Sequence, residues 1–213
     1  MSVQAKICGI TTPEAASAAL SGGAAFLGFV FFEKSPRNVA PEAAERLAQP
    51  VRGRARIVAL LVDPSDAELD RVNSILKPDL IQLHGKETPA RVREVGQRTG
   101  AGIIKALPVS EASDLNAAAE FETVVDHLMF DTKPAKDAER PGGSGRAFDW
   151  TLLSGRRFQR PWLLAGGLDP WNLQEAVQQS GARLLDVSSG VERGPGLKDA
   201  ALITAFLNAA KGA

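Results

Sequence analysis

The chain holds one cysteine and two widely separated histidines in 213 residues, and its 25 basic residues are balanced by 25 acidic ones. A single cysteine forms no intrachain disulfide, and Cys8 with two distant histidines supplies too few ligands for a cysteine-based zinc site. A formal charge of zero removes the global basic field that bulk binding to nucleic acid or anionic membranes requires. The alternating Arg52, Arg54 and Arg56 lack interleaved aromatics and read as a solvated edge. No run of about 18 apolar residues is present to span a bilayer. The opening MSVQAKICGI lacks a basic segment followed by an apolar run, so no signal peptide is expected. No linker, low-complexity stretch or composition shift divides the chain, whose length suits burial of roughly 70% of its extended surface. These absences point to a single-domain, soluble, cytoplasmic protein without nucleic-acid or membrane partners.

What is present is a regular alternation. Short apolar, β-branched runs at 3–8, 26–31, 56–62, 79–83, 102–107, 127–131, 161–165 and 183–187 read as strands covered on both faces. Helix-start signals lie between them. Pro13 follows the capping Thr12, Pro41 opens a second helix, and Ser65 with Glu68 three residues on forms a capping box. Further starts fall at Thr88-Pro89, Ser110-Glu111 and Asp169-Pro170, and a last helix is expected over 198–209. Eight strands alternating with eight helical segments favour a (βα)8 TIM barrel. The competing open doubly wound sheet usually carries G-x-G-x-x-G in its first turn, whereas this turn reads Cys8-Gly9-Ile10-Thr11.

In such a barrel the chemistry sits at the strand C-termini and the loops that follow. Those positions hold Cys8, Arg37, Asp63, Gln82, His84, Asp131, Gly166-Gly167 and Asp186 through Gly190. The paired loops after strands seven and eight, with Gly166, Gly167, Ser188, Ser189 and Gly190, are placed to bind a phosphate through backbone N–H groups and helix N-termini. A third glycine cluster, Gly142-Gly143-Ser144-Gly145, reads either as a mobile flap or as a plain surface loop.

A free cysteine is ordinarily a small buried hydrophobe. Cys8, however, ends strand one beside Gly9, and Lys6 shares its strand face, where an ammonium favours thiolate. A lysine facing the barrel interior needs an anionic partner, so the pair implies a charged interior. Asp131 closes a buried strand, either as an ionisable group open to tuning or as a turn cap. His84 contributes to function or merely closes a turn, and Asp186 orients backbone or lysine groups near the phosphate loops. A base and an acid on opposite sides of a phosphate-binding barrel suit an isomerase that needs neither metal nor cofactor.

The segments Lys6-Ile7-Cys8-Gly9-Ile10-Thr11, Lys34-Ser35-Pro36-Arg37, Gln82-Leu83-His84-Gly85, Asp131-Thr132-Lys133 and Asp186-Val187-Ser188-Ser189-Gly190-Val191-Glu192 resemble those of the phosphoribosylanthranilate isomerase family, in the correct order along essentially the whole chain. The resemblance implies a (βα)8 fold and an Amadori rearrangement in tryptophan biosynthesis. It implies Cys8 as general base and Asp131 as general acid. Arg37 would fix the anthranilate carboxylate, the glycine loops would hold the phosphate, and His84 and Asp186 would border the substrate. The implied partner is a small phosphorylated molecule, with the enzyme a monomer or homodimer. Glu33 stands where the family commonly has proline, which implies a more flexible, less cationic second loop. A related histidine-pathway isomerase uses a pair of aspartates, one at the end of strand one, where this chain has Cys8. A phosphate-binding barrel without catalysis would not need both Cys8 and Asp131.

Overall fold

The computed structural model describes residues 3–134 and 147–213. Eight parallel strands close into a barrel in sequence order, with β8 pairing back to β1. They are β1 (Gln4–Cys8), β2 (Phe26–Phe31), β3 (Arg56–Leu61), β4 (Leu80–Leu83), β5 (Gly102–Val109), β6 (His127–Thr132), β7 (Trp162–Leu164) and β8 (Leu184–Val187). Closure leaves no unpaired sheet edge.

The barrel is wrapped by α1 (Pro13–Gly22), α2 (Pro41–Ala48), α3 (Asp66–Leu76), α4 (Pro89–Thr99), α5 (Ala118–Phe121), α6 (Leu173–Ser180) and α7 (Ala200–Lys211). Thr12, Ser65 and Thr88 each accept a first-turn N–H, and Glu68 completes the capping box of α3. Among the described residues no helix is long and apolar enough to cross a membrane.

Three local details depart from the expected alternation. Between β6 and β7 the described residues contain only a 3-10 turn, Trp150–Leu153, so seven α-helices are seen rather than eight. Trp150 and Leu153, three residues apart, are its buried anchors, and Asp149 caps it at Thr151 N. Lys198 belongs to a small hairpin of β9 (Glu192–Gly194) and β10 (Leu197–Lys198), not to the last helix. Asp199 is the actual cap of that helix, accepting from the N–H groups of Ala201 and Leu202. Asp169 closes a turn onto Trp171 and Asn172, which delays α6 to Leu173.

The period of two along each strand assigns side chains to two cores. One parity packs against the helices, as Ile7, Leu27, Ile81 and Phe130 do. The other fills the barrel: Phe26, Val58, Leu80, Ile104, Met129 and Leu163 form an apolar plug in the N-terminal part. Continuing that inward parity from Leu80, Met129 and Leu184 by two residues reaches Gln82, Asp131 and Asp186. Each is buried, so the barrel turns polar toward its C-terminal mouth.

Candidate active site

On β1 the inward residues are Lys6 and Cys8. Lys6 is completely buried and its Nζ donates to Asp186 Oδ1 at 2.7 Å, across the seam where β1 pairs β8 in register. Gly28, opposite Cys8 on β2, makes room for both side chains. A Cβ there would lie 3.0 Å from Lys6 Nζ and 3.1 Å from Cys8 Sγ. Burial pushes the Cys8 thiol above its ordinary value; Lys6 pulls it down and Asp186 pushes it up again. Burial thus outweighs the pull of Lys6, which the adjoining Asp186 carboxylate partly offsets. Burial alone would lower the Lys6 ammonium, but Asp186 and Cys8 outweigh it and keep the lysine charged.

On the far side, Asp131 is buried at the end of β6. Its Oδ1 accepts from Thr132 N at 2.8 Å, and its Oδ2 lies 3.1 Å from His84 Nε2. His84 Nδ1 in turn meets Gln82 Nε2 at 3.0 Å. His84 therefore neither stands alone nor simply closes a turn; it abuts the carboxylate. Gly166 packs directly on this group at a left-handed φ of 88°. A Cβ at Gly166 would fall 2.2 Å from Thr132 Oγ1 and 2.9 Å from Asp131 Oδ1, so glycine is required for the close approach as well as for the turn.

Arg37 is 6% exposed, and its Nε and Nη2 form a two-pronged pair with Glu192 at 2.7 and 2.8 Å. That side of the guanidinium is therefore occupied by protein, leaving the Nη1 end for another acid. Glu192 also takes Lys198 Nζ at 2.6 Å, and Lys198 donates to Ser188 O and approaches Ser188 Oγ. Ser188 Oγ donates to Cys8 O, joining the hairpin to the end of β1. Burial opposes charge on Glu192, but Arg37 and Lys198 outweigh it and hold its carboxyl low. Lys198 shares that single carboxylate with Arg37, and burial leaves its ammonium below the ordinary lysine value.

The loops after β7 and β8 face each other. A side chain on Gly190 would collide with Leu168 O, so the two backbones touch. The N–H groups of Gly167, Ser189 and Gly190 bond to no other described residue. These donors come from loop backbone: α6 starts only at Leu173, and β8 leads into a single 3-10 turn, Ser189–Val191. The N–H groups of Ser189 and Gly190 open that short 3-10 turn, whereas α6 begins five residues or more beyond Gly167. The cluster at 142–145 lies outside the described residues.

Five participants had not been given roles from sequence. Glu192 and Lys198 become partners because they pair across the hairpin about Pro195-Gly196; opposite charges flanking a Pro-Gly turn were the available signal. Gln82 was visible only as a polar residue on an apolar strand. Lys105 and Glu87, buried and paired at 2.6 Å, brace the turn after His84 through Gly85 O and Gly85 N.

A family model described as N-(5'phosphoribosyl)anthranilate (PRA) isomerase matches residues 5–209. The chain is 63% identical over 208 residues to N-(5'-phosphoribosyl)anthranilate isomerase of Caulobacter vibrioides, covering 97% of this chain and 95% of that protein. Its structure is similar to phosphoribosyl anthranilate isomerase from Thermotoga maritima, with 37% identity, a TM-score of 0.88 and coverage of 99% of this chain and 100% of that one. It is also similar to a phosphoribosyl anthranilate isomerase in complex with reduced 1-(o-carboxyphenylamino)-1-deoxyribulose 5-phosphate. Identity there is 34%, the TM-score 0.85, and coverage 99% of this chain and 100% of that chain. With sequence, barrel and inward-facing polar residues running together from β1 to α7, the chain belongs to the N-(5'-phosphoribosyl)anthranilate isomerase family.

Proposed function

We propose that Cys8 and Asp131 are the base and acid with which this isomerase converts N-(5'-phosphoribosyl)anthranilate into 1-(2-carboxyphenylamino)-1-deoxyribulose 5-phosphate, the Amadori step of tryptophan biosynthesis. One observation carries the assignment: in the closed order β6, β7, β8, β1, the two glycine loops lie between the strands bearing Asp131 and Cys8. A phosphate held by the N–H groups of those loops puts the sugar between acid and base.

Asp131, in its acid form, gives a proton to the furanose ring oxygen, and the ring opens to a protonated Schiff base. The iminium withdraws electrons from C2, which makes the C2 proton acidic enough for a thiolate. Cys8 takes that proton as thiolate, with Lys6 and Lys198 both favouring its anion. The resulting enolamine tautomerises to the ketone. No step in this scheme calls on a metal or cofactor, and a reducing cytoplasm keeps Cys8 available.

The anthranilate carboxylate fits the Nη1 end of Arg37, held end-on because Glu192 occupies the other edge.

The test is turnover of phosphoribosylanthranilate generated in situ from anthranilate and activated ribose phosphate, followed by loss of its fluorescence. Wild type is expected to turn it over, with Cys8→Ala and Asp131→Asn each slower by about 10^2-fold or more. Wild-type rates in both variants overturn the assignment.

A further inference from the structure

Gln82 sits in the barrel with no exposure, yet its Oε1 is buried without a hydrogen-bond partner. Leaving such an acceptor unpaired forfeits the hydrogen bonds it makes in water, so the group needs an explanation. Its Nε2 is committed twice, to His84 Nδ1 at 3.0 Å and to Met129 Sδ at 3.3 Å. A neutral imidazole has one donor and one acceptor nitrogen. With an amide N–H aimed at Nδ1, that nitrogen accepts, and the proton sits on Nε2, pointing at Asp131 Oδ2. This arrangement suits Asp131 as an anion. Turning the amide by 180° brings Oε1 onto Nδ1, where it accepts a proton and frees Nε2 to accept one from a protonated Asp131.

We infer that Gln82 and His84 are positioning residues that set the proton on Asp131, the buried amide turning between two orientations as the His84–Asp131 pair gains or loses one proton. This rests on Asp131 being the acid. In the loaded state the pair holds two protons, one on His84 Nδ1 against Gln82 Oε1 and one on the Asp131 carboxyl against His84 Nε2. As the ring opens, the Asp131 O–H bond breaks and an O–H bond forms on the sugar oxygen, leaving carboxylate and one proton on the imidazole. The amide turns back as that proton settles on Nε2. Solvent returns one proton to the pair, matching the one that Cys8 releases when it reverts to thiolate.

The charges packed around His84 do not substitute for this pair. Lys105 is committed to Glu87 and Gly85 O, Asp63 Oδ1 to Lys86 N beside Gly85, and Lys133, after β6, to Asp114.

The readout is the pH profile of kcat/KM, compared with kcat and KM separately. His84→Asn is expected to lower kcat by about tenfold to a hundredfold, part of the ~10^2–10^4 that a positioned acid supplies, with KM little changed. Its alkaline limb moves to lower pH, since the second proton is held less well. Gln82→Met, which cannot accept from Nδ1, moves that limb the same way, and Gln82→Glu, which can only accept there, moves it to higher pH. Unmoved limbs, or the same direction in Gln82→Met and Gln82→Glu, refute the inference. Because a glutamate buried at 82 can disturb folding, nitrogen NMR of the wild type with labelled histidine gives a second reading, with only His84 and His127 to distinguish. At neutral pH the free enzyme is expected to hold His84 as the Nε2–H tautomer; an Nδ1–H tautomer overturns the proposal. If instead Asp131→Asn retains full activity, the assignment of the acid itself fails, whatever the His84 variants do.

Discussion

Replacing Lys6 with methionine, alone and together with Asp186→Leu, measures whether the charged interior at β1 and β8 is one coupled unit. Lys6 Nζ is inaccessible, the Asp186 side chain is 10% exposed, and they meet at 2.7 Å. At an effective dielectric of ~20, unit charges at this separation attract by about 6 kcal/mol before desolvation is counted. Removing one partner strands the other in the barrel and costs about 3–5 kcal/mol. Lys6→Met leaves the Asp186 carboxylate without its cation; Asp186→Leu leaves the Lys6 ammonium beside Cys8 without its carboxylate. The double variant removes both charges and fills the space with apolar atoms, so its loss is expected to fall short of the summed single losses by about 3 kcal/mol. Urea unfolding followed through the tryptophans, Trp150 and Trp162 among them, supplies the three free energies. With a total stability of about 5–15 kcal/mol, the single variants remain measurable in the cold. Additivity within about 0.5 kcal/mol would refute the coupling and reduce the pair to two independent buried groups.

Three other outcomes can be checked. Since Cys8 is the sole cysteine, its alkylation rate against pH reports one thiol; Lys6→Met should shift that profile to higher pH and Asp186→Asn to lower pH, and a common direction contradicts the opposed influences of the two groups. Gly166→Ala forces a methyl onto Thr132 and Asp131 at a left-handed φ, so a stability loss of about 1–3 kcal/mol should accompany a fall in kcat, whereas a fully active variant would show that Asp131 needs no such close packing. Asp114 is held down to about 2: its burial opposes ionisation, but Lys133 and the N–H groups of Ser110 and Glu111 outweigh that effect. A depressed carboxyl stabilises the fold above its ordinary value of 3.8 and loses that contribution as pH falls toward about 2; urea midpoints of Asp114→Asn should be flatter across this window, and a wild-type slope would count against the pairing.

Much of the fold was legible because burial on both faces writes itself as short apolar runs, and helices announce their first turns. Eight strand positions came through for that reason, with ends displaced by a residue or two where a hydrogen-bond ladder runs on, as at Pro108 and Val109. The hairpin β9–β10 did not, because two or three residues carry no period. The single 3-10 turn before β7 had no helical signal to offer either.

For the site, the sequence by itself determined which residue types stand at strand ends: one thiol, one strand-ending aspartate, paired glycine loops, an arginine after β2. The period of two also determined that Lys6 and Cys8 share a face. Tertiary structure alone decided what neutralises what. Asp186 lies 180 residues from Lys6 and Glu192 lies 155 from Arg37, and only barrel closure brings them together. It also added two opposing influences at Cys8: Lys6 still favours the thiolate, but burial and the Asp186 carboxylate from β8 push the thiol the other way. Electrostatic energy depends on distance and on dielectric, and both are fixed by packing, not by order along the chain.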